Sequence, residues 1–197
     1  MCNSHEYATM MLEANPEAYR SIFEKSVAEF GGNMENLQFN ADTNWYDELL
    51  RTAMMTNHSL NISGGTEKAT YSAGMSYLAQ DGIMDVENYY RRLNFRAALD
   101  YEARKWLKVG FNGVFSNSQQ QLPKNAAWQQ AYNTPSIIPV YDDRRDDAVF
   151  PKKYTSPEQV GLTNNFNNPV ATANYYDNRN ETYQVLTKVS MKADECR

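Results

Sequence analysis

Long apolar runs, catalytic signatures and basic clusters are all missing from this chain of 197 residues. No run of about eighteen apolar residues occurs, so no transmembrane helix is expected. That leaves open a protein that crosses a membrane with strands, whose signal per segment is far weaker. The opening "MCNSHEYATM" has neither a basic region nor an apolar core, so no secretory signal is visible. Either the chain is cytosolic or its true N-terminus lies upstream. Cysteine is scarce. Cys2 and Cys196 sit near the two ends, where a disulfide between them is one reading, but without a spacing pattern they read rather as two incidental thiols. The net charge is −5 and no basic cluster exceeds a few residues, so nucleic acid is not an expected partner.

Chemistry-bearing patterns are equally thin. His5 and His58 lie far apart, without metal-ligand spacing. The run "YDDRRDDAVF" sets Asp142, Asp143, Asp146 and Asp147 around Arg144 and Arg145, but lacks the glycine and terminal glutamate of a calcium loop. It reads as a solvated, self-paired charge run. No nucleophile elbow, Walker loop or Rossmann fingerprint occurs. The expectation is therefore no catalytic residue, no metal site, no cofactor and no enzymatic activity.

Aromatics are abundant, with 14 Tyr against 9 Gly and 7 Pro, which suits strands and polar loops. Residues 1–30 read as helical, with Ser4 as the first cap and Tyr7, Met10, Met11 and Ala14 at helical spacing. Pro16 splits the segment, because it pushes Asn15 out of the helical region. Tyr19, Ile22, Phe23, Val27 and Phe30 form the stripe of the second piece, and Gly31-Gly32 stops it. A further short helix is expected over 42–55, capped by Asp42 or Thr43.

Beyond Asn57 the pattern switches to period two. "ATYSAGMSYLAQDG" puts Tyr71, Ala73, Met75 and Tyr77 on one parity and Thr70, Ser72, Gly74 and Ser76 on the other. Leu60 and Ile62 precede it across a turn at "GGTEKA". "YYRRLNFRAALDYEA" alternates throughout, with Leu93, Phe95, Ala97, Leu99 and Tyr101 against Arg92, Asn94, Arg96, Ala98 and Asp100. "LKVGFNGVFSNSQQQ" and "ETYQVLTKVSMK" do the same. Five strands are expected, in a mainly β, antiparallel, up-and-down arrangement after the short helices. The connections alternate between tight turns and longer loops, and the stretch at about 117–180 is very long and lacks periodicity. Unequal rims, together with aromatics at strand ends (Tyr89, Tyr90, Trp106), favour a partial transmembrane β-barrel.

Three stretches carry a resemblance. "TNWYDELLRTA" contributes Thr43, Trp45, Asp47, Glu48, Arg51, Thr52 and Ala53. "NHSLNISGGTEKATY" contributes Asn57, Leu60, Ile62, Ser63, Gly64, Gly65 and Tyr71. "YLAQDGI" contributes Tyr77, Gln80, Gly82 and Ile83. Together they resemble the start of the barrel in SusC/RagA-type TonB-dependent transporters of Bacteroidetes. "SHEYATMMLEA" is similar to that family's helix between plug and barrel. The resemblance implies residues 1–56 as a helical linker and 57–197 as part of a barrel with one extracellular loop. It also implies an outer-membrane location, uptake of oligosaccharides or peptides, and a SusD-like lipoprotein and TonB as partners, engaged through other parts of the whole protein. Large barrels of this kind have about 22 strands around a plugged lumen, so the chain reads as an internal fragment.

On that reading Arg92, Asn94, Arg96, Lys108 and Asn112 face the lumen, and Trp128, Tyr132, Tyr141 and Tyr154 are the loop aromatics that meet substrate or partner. The rival reading is a self-contained soluble β-sheet module that binds a partner with its long loop. The two differ in whether Leu93, Phe95, Val109 and Phe111 are covered.

Overall fold

The computed structural model describes residues 2–144, 153–163 and 166–193. Cys196 and the charge-run residues Arg145, Asp146 and Asp147 lie outside that range. The chain divides into two compact units, residues 1–51, 84–86 and 123–177 in one, and 52–83, 87–122 and 178–197 in the other.

The first unit begins with α1 (Ser4–Ala14) and α2 (Pro16–Phe30). Asn3, not Ser4, caps α1. Its side chain accepts from the Glu6 N–H at 2.7 Å, and the Glu6 carboxylate accepts from the Asn3 N–H at 3.1 Å. The Ser4 N–H donates instead to the Asp42 carboxylate at 2.6 Å. Pro16 opens α2, where its missing N–H costs nothing, and Asn15 accepts from the Ala18 N–H at 3.2 Å. Gly31, at φ 87°, ends α2 in a conformation that favours glycine. A two-residue hairpin, β1 (Gly32–Asn33) and β2 (Gln38–Phe39), follows.

The next helix, α3, is shorter than expected, spanning only Trp45–Leu49 with Asn44 as its cap. Asp42 is already committed to Ser4. Thr43 donates from its N–H to the Ser136 carbonyl at 2.9 Å and from its hydroxyl to the Ile138 carbonyl at 2.6 Å. Tertiary bonding thus holds both expected caps outside the helix, and after Leu49 the chain pairs Leu50 with Met84.

Residues 123–177 lack visible periodicity, yet carry α4 (Asn125–Asn133), a 3-10 turn (Pro157–Val160) and α5 (Pro169–Asn174). The buried face of α4 is Ala127 and Ala131, too small to write an apolar stripe. Phe23, Trp45, Leu49, Ile137, Ile138 and Val160 form the core of this unit. Each large side chain buried in this way contributes about 1.5–3 kcal/mol. Polar ties complete it. The Trp45 indole donates to the Pro135 carbonyl at 3.0 Å, and the Ser26 hydroxyl to the Ile137 carbonyl at 3.1 Å.

The second unit is a single antiparallel sheet of β3 (Met55–Gly65), β4 (Ala69–Asp81), β5 (Tyr89–Arg104), β6 (Leu107–Gln121) and β7 (Arg179–Ala193), in that order. Every strand pairs with its neighbour in sequence, so the connection is up-and-down. The sheet is open, with β3 and β7 at its edges. The turn between β3 and β4 is held by Thr66, whose hydroxyl accepts from the Lys68 and Ala69 N–H groups. The expected alternation holds across all five strands. One row reads Leu60, Met75, Phe95, Phe115, Val185, and the row beside it Ser59, Ser76, Asn94, Ser116, Gln184. The mainly β expectation, with short helices ahead of the strands, is met.

Candidate functional site

The two faces of the sheet differ in kind. On the apolar face the side chains stand in solvent: Leu60 is 60% exposed, Phe95 47%, Phe111 41% and Val189 73%. A soluble sheet would hide such a row. The soluble reading needed Leu93, Phe95, Val109 and Phe111 covered; Leu93, Phe95 and Phe111 are exposed and Val109 is half-buried. The opposite face is polar and ordered. Arg92, Asn94 and Arg96 from β5 and Lys108 and Asn112 from β6 all lie on it.

Asn94 is the node of that face. Its amide donates to the Ser76 hydroxyl at 3.1 Å, and its carbonyl accepts from the Ser116 hydroxyl at 2.8 Å and from Arg92 Nε at 2.9 Å. Three strands are thereby joined through one side chain, and the Arg92 guanidinium is steered along the face. Toward the tight turns the face forms a depression of about 510 Å³, lined among others by Thr70, Asp100, Glu102, Lys108, Lys188 and Lys192. Lys108 and Lys192 stand directly opposite one another. That like-charge pairing is unfavourable, and Glu102 offsets it from 3.8 Å on Lys108. Gly110 makes room here, since a Cβ on it would lie 2.6 Å from the Ser190 hydroxyl and 2.7 Å from the Asp100 carboxylate. The face is therefore a polar wall of net positive charge, with Asp100 and Glu102 set among Arg92, Arg96, Lys108, Lys188 and Lys192.

The aromatic residues belong to the other unit. Tyr141 stacks on Tyr154 with centroids 5.3 Å apart, and Tyr154 meets Tyr175 edge-on at 5.6 Å. Tyr154 is buried, and burial pushes its phenol well above the usual tyrosine range. It supports the group from behind, and Tyr141 and Tyr175 present the surface. Trp128 and Tyr132 are four residues apart on α4 and so share a helix face. Trp128 packs edge-on against Tyr46 at 5.4 Å, whereas Tyr132 projects outward, 77% exposed. Of the four aromatics expected from sequence, only Tyr141 and Tyr154 touch. Tyr175 and Tyr176 were not expected. The signal available for them was the adjacent aromatic pair in "ANYYDN", a polar stretch with no apolar pattern of its own.

This arrangement is tied to the core. Asp142, next to Tyr141, accepts from Arg144 Nε at 3.0 Å and from the Gln159 amide at 3.1 Å. These bonds, that from Arg144 foremost, hold its carboxyl below the usual carboxylate range against the opposing effect of burial. Arg144 reaches on to Glu29 of α2 at 3.2 Å. Asn168 caps α5 through Val170 and Ala171, and its amide donates to the Val140 carbonyl at 2.8 Å and the Thr155 carbonyl at 3.2 Å. One buried side chain thus fixes the backbone on both sides of the Tyr141–Tyr154 pair. Among the described residues no group of three or more His, Cys, Asp or Glu is placed to hold a metal ion.

No protein-family model matches the chain. It is 28% identical over 159 residues to the TonB-dependent receptor SusC of Bacteroides thetaiotaomicron, covering 79% of this chain and 15% of that receptor. It is 28% identical over 143 residues to the TonB-dependent receptor P26 of Formosa agariphila, covering 73% of this chain and 13% of the receptor. A third match, 33% over 72 residues, is to the TonB-dependent receptor P3 of the same organism, covering 36% and 7%. The chain thus spans less than a sixth of the length of each relative, and over most of its own length it is similar to TonB-dependent receptors.

Proposed function

We propose that this chain forms part of the wall and one surface loop of an outer-membrane, TonB-dependent transporter that imports oligosaccharides or peptides. The observation that carries the reading is the exposed apolar face of the sheet. On β5 it runs from Leu93 to Tyr101 in five alternate positions. At ~3.4 Å per residue and a tilt of ~40°, those eight steps rise ~21 Å, close to the apolar band of about 25 Å on barrels that cross this kind of membrane. Beyond Leu93 the same face turns polar at Arg91 and Gln119 and aromatic at Tyr89, as expected where a barrel wall leaves lipid.

On this reading residues 1–56 lead into the barrel as its helical linker, and 57–197 contribute strands and the long loop between β6 and β7. Arg92, Asn94, Arg96, Lys108 and Asn112 face the lumen. The open edges of β3 and β7 are where further strands of the whole protein pair, since an unpaired edge of this length is a liability in isolation. Trp128, Tyr132 and Tyr141 belong to the surface that meets substrate or a SusD-like lipoprotein, Tyr154 backs Tyr141 from the buried side, and TonB acts through other parts of the protein. Transport, not catalysis, is the activity.

The test is an immunoblot with antibodies to residues 128–144, on boiled and unboiled outer-membrane and soluble fractions of the source cells. A heat-modifiable outer-membrane band far above 22.6 kDa is the expected result. A soluble band at the mass of the chain itself would overturn the reading in favour of a binding module.

A further inference from the structure

We propose that the cleft between Lys124, Tyr175 and Tyr176 binds a sugar unit that bears a carboxylate. The proposal deepens the transport reading and rests on it, because it takes this segment as the surface that meets substrate. The cleft measures about 240 Å³ and is lined by Lys124, Ala171, Thr172, Tyr175 and Tyr176. That is smaller than the ~300–1,000 Å³ of pockets for drug-sized ligands. It accommodates one pyranose ring, with the remainder of the chain running over the surface.

The lining selects the chemistry. Tyr175 and Tyr176 are 51% and 40% exposed, and flat phenol rings match the C–H faces of a pyranose. Tyr175 does not have to be ordered on binding. Tyr154 holds its edge at 5.6 Å and Tyr141 stacks behind Tyr154, so little conformational entropy is lost. The Thr172 hydroxyl and the phenols offer hydrogen bonds suited to ring hydroxyls. The cleft has no aliphatic pocket and no free strand edge, the two features that peptide recognition uses.

Lys124 supplies the charge. Its ammonium lies 5.9 Å from the Tyr176 ring centroid, and no described carboxylate forms an ion pair with it. A cation held over an aromatic ring, with no ion-pair partner among the described residues, is satisfied by a carboxylate carried on the same sugar that stacks on the ring. Charge-assisted bonds of this kind are about twice as strong as neutral ones. A neutral sugar leaves the ammonium as it was.

The experiment titrates the full chain in detergent with uronic-acid trimers (galacturonate, mannuronate, glucuronate), a neutral galactose trimer and triglutamate, by calorimetry. At least one uronate trimer should bind. Lys124→Gln and Tyr176→Ala should each weaken it about tenfold, with the circular dichroism spectrum and melting temperature unchanged. Equal binding of the neutral trimer, tighter binding of triglutamate, no binding of any uronate, or binding indifferent to Lys124→Gln would each overturn the proposal. The readout is ligand binding and not location, so it fails separately from the outer-membrane reading. A uronate-binding chain found in the soluble fraction would sink only the latter.

Discussion

Ala97 and Ala98 are adjacent on β5, equally half-buried, and point to opposite faces of the sheet. Ala97 sits in the middle row of the apolar band, across from Ala73 and Gly113. Ala98 sits between Ser72 and Asn112 on the polar face. The same substitution at both positions therefore separates face from strand. If the apolar face meets lipid, Ala97→Arg places a guanidinium near the bilayer midplane, at a cost of about 2–4 kcal/mol. Ala98→Arg enters a wetted wall that already carries Arg96 and Lys188, and should shift stability by less than about 0.5 kcal/mol. The difference corresponds to roughly 10- to 700-fold in the equilibrium constant. The assay is denaturant unfolding of the chain reconstituted in lipid vesicles, followed by tryptophan fluorescence, with flotation to report membrane association. Equal effects of the two substitutions would refute the argument that the Leu93–Tyr101 face lies in lipid.

Two further predictions concern the aromatic group. Asn168→Ala removes a helix cap and strands the buried carbonyls of Val140 and Thr155. A loss of about 3 kcal/mol is expected from the cap and the unpaired carbonyls together. Urea unfolding would measure it, and a loss below about 1 kcal/mol would mean this side chain does not hold the Tyr141–Tyr154 pair. Asp142 supplies a pH dependence of definite sign. Its carboxyl is lowered in the folded chain, so the unfolded chain takes up the proton first as the medium is acidified. Its stabilisation is complete above the ordinary carboxylate value of about 3.9 and is lost as the pH falls below that value and through the lowered one. Asp142→Asn should flatten this part of a stability curve recorded between neutral and acid pH, and an unchanged curve would contradict the assignment.

Whatever depends on near neighbours in the chain is legible in the sequence itself. Alternation of period two marks each strand, and because a strand turns successive side chains to opposite faces, it also assigns Arg92, Asn94 and Arg96 to one face and Leu93, Phe95 and Ala97 to the other. Pro16 and Gly31 mark helix ends for the same reason, since each acts on its own backbone angles. The expectations that failed concern features decided at long range. Asp42 and Thr43 look like caps, but Ser4, Ser136 and Ile138 claim them. No local pattern could show partners 38 to 95 residues away. Residues 123–177 look structureless because their helices are short and bury alanines against a core supplied by Phe23, Trp45 and Leu49. The aromatic site follows the same rule. Tyr141, Tyr154 and Tyr175 are scattered in sequence, and the bonds of Asn168 and Asp142 hold the segments that bring them together. The pattern therefore picks out Tyr141 and Tyr154 and passes over Tyr175, which meets Tyr154 edge-on. Face and strand are properties of neighbours and so are written locally. A cleft is made of residues that meet only when the chain packs, and the tertiary structure alone decides which they are.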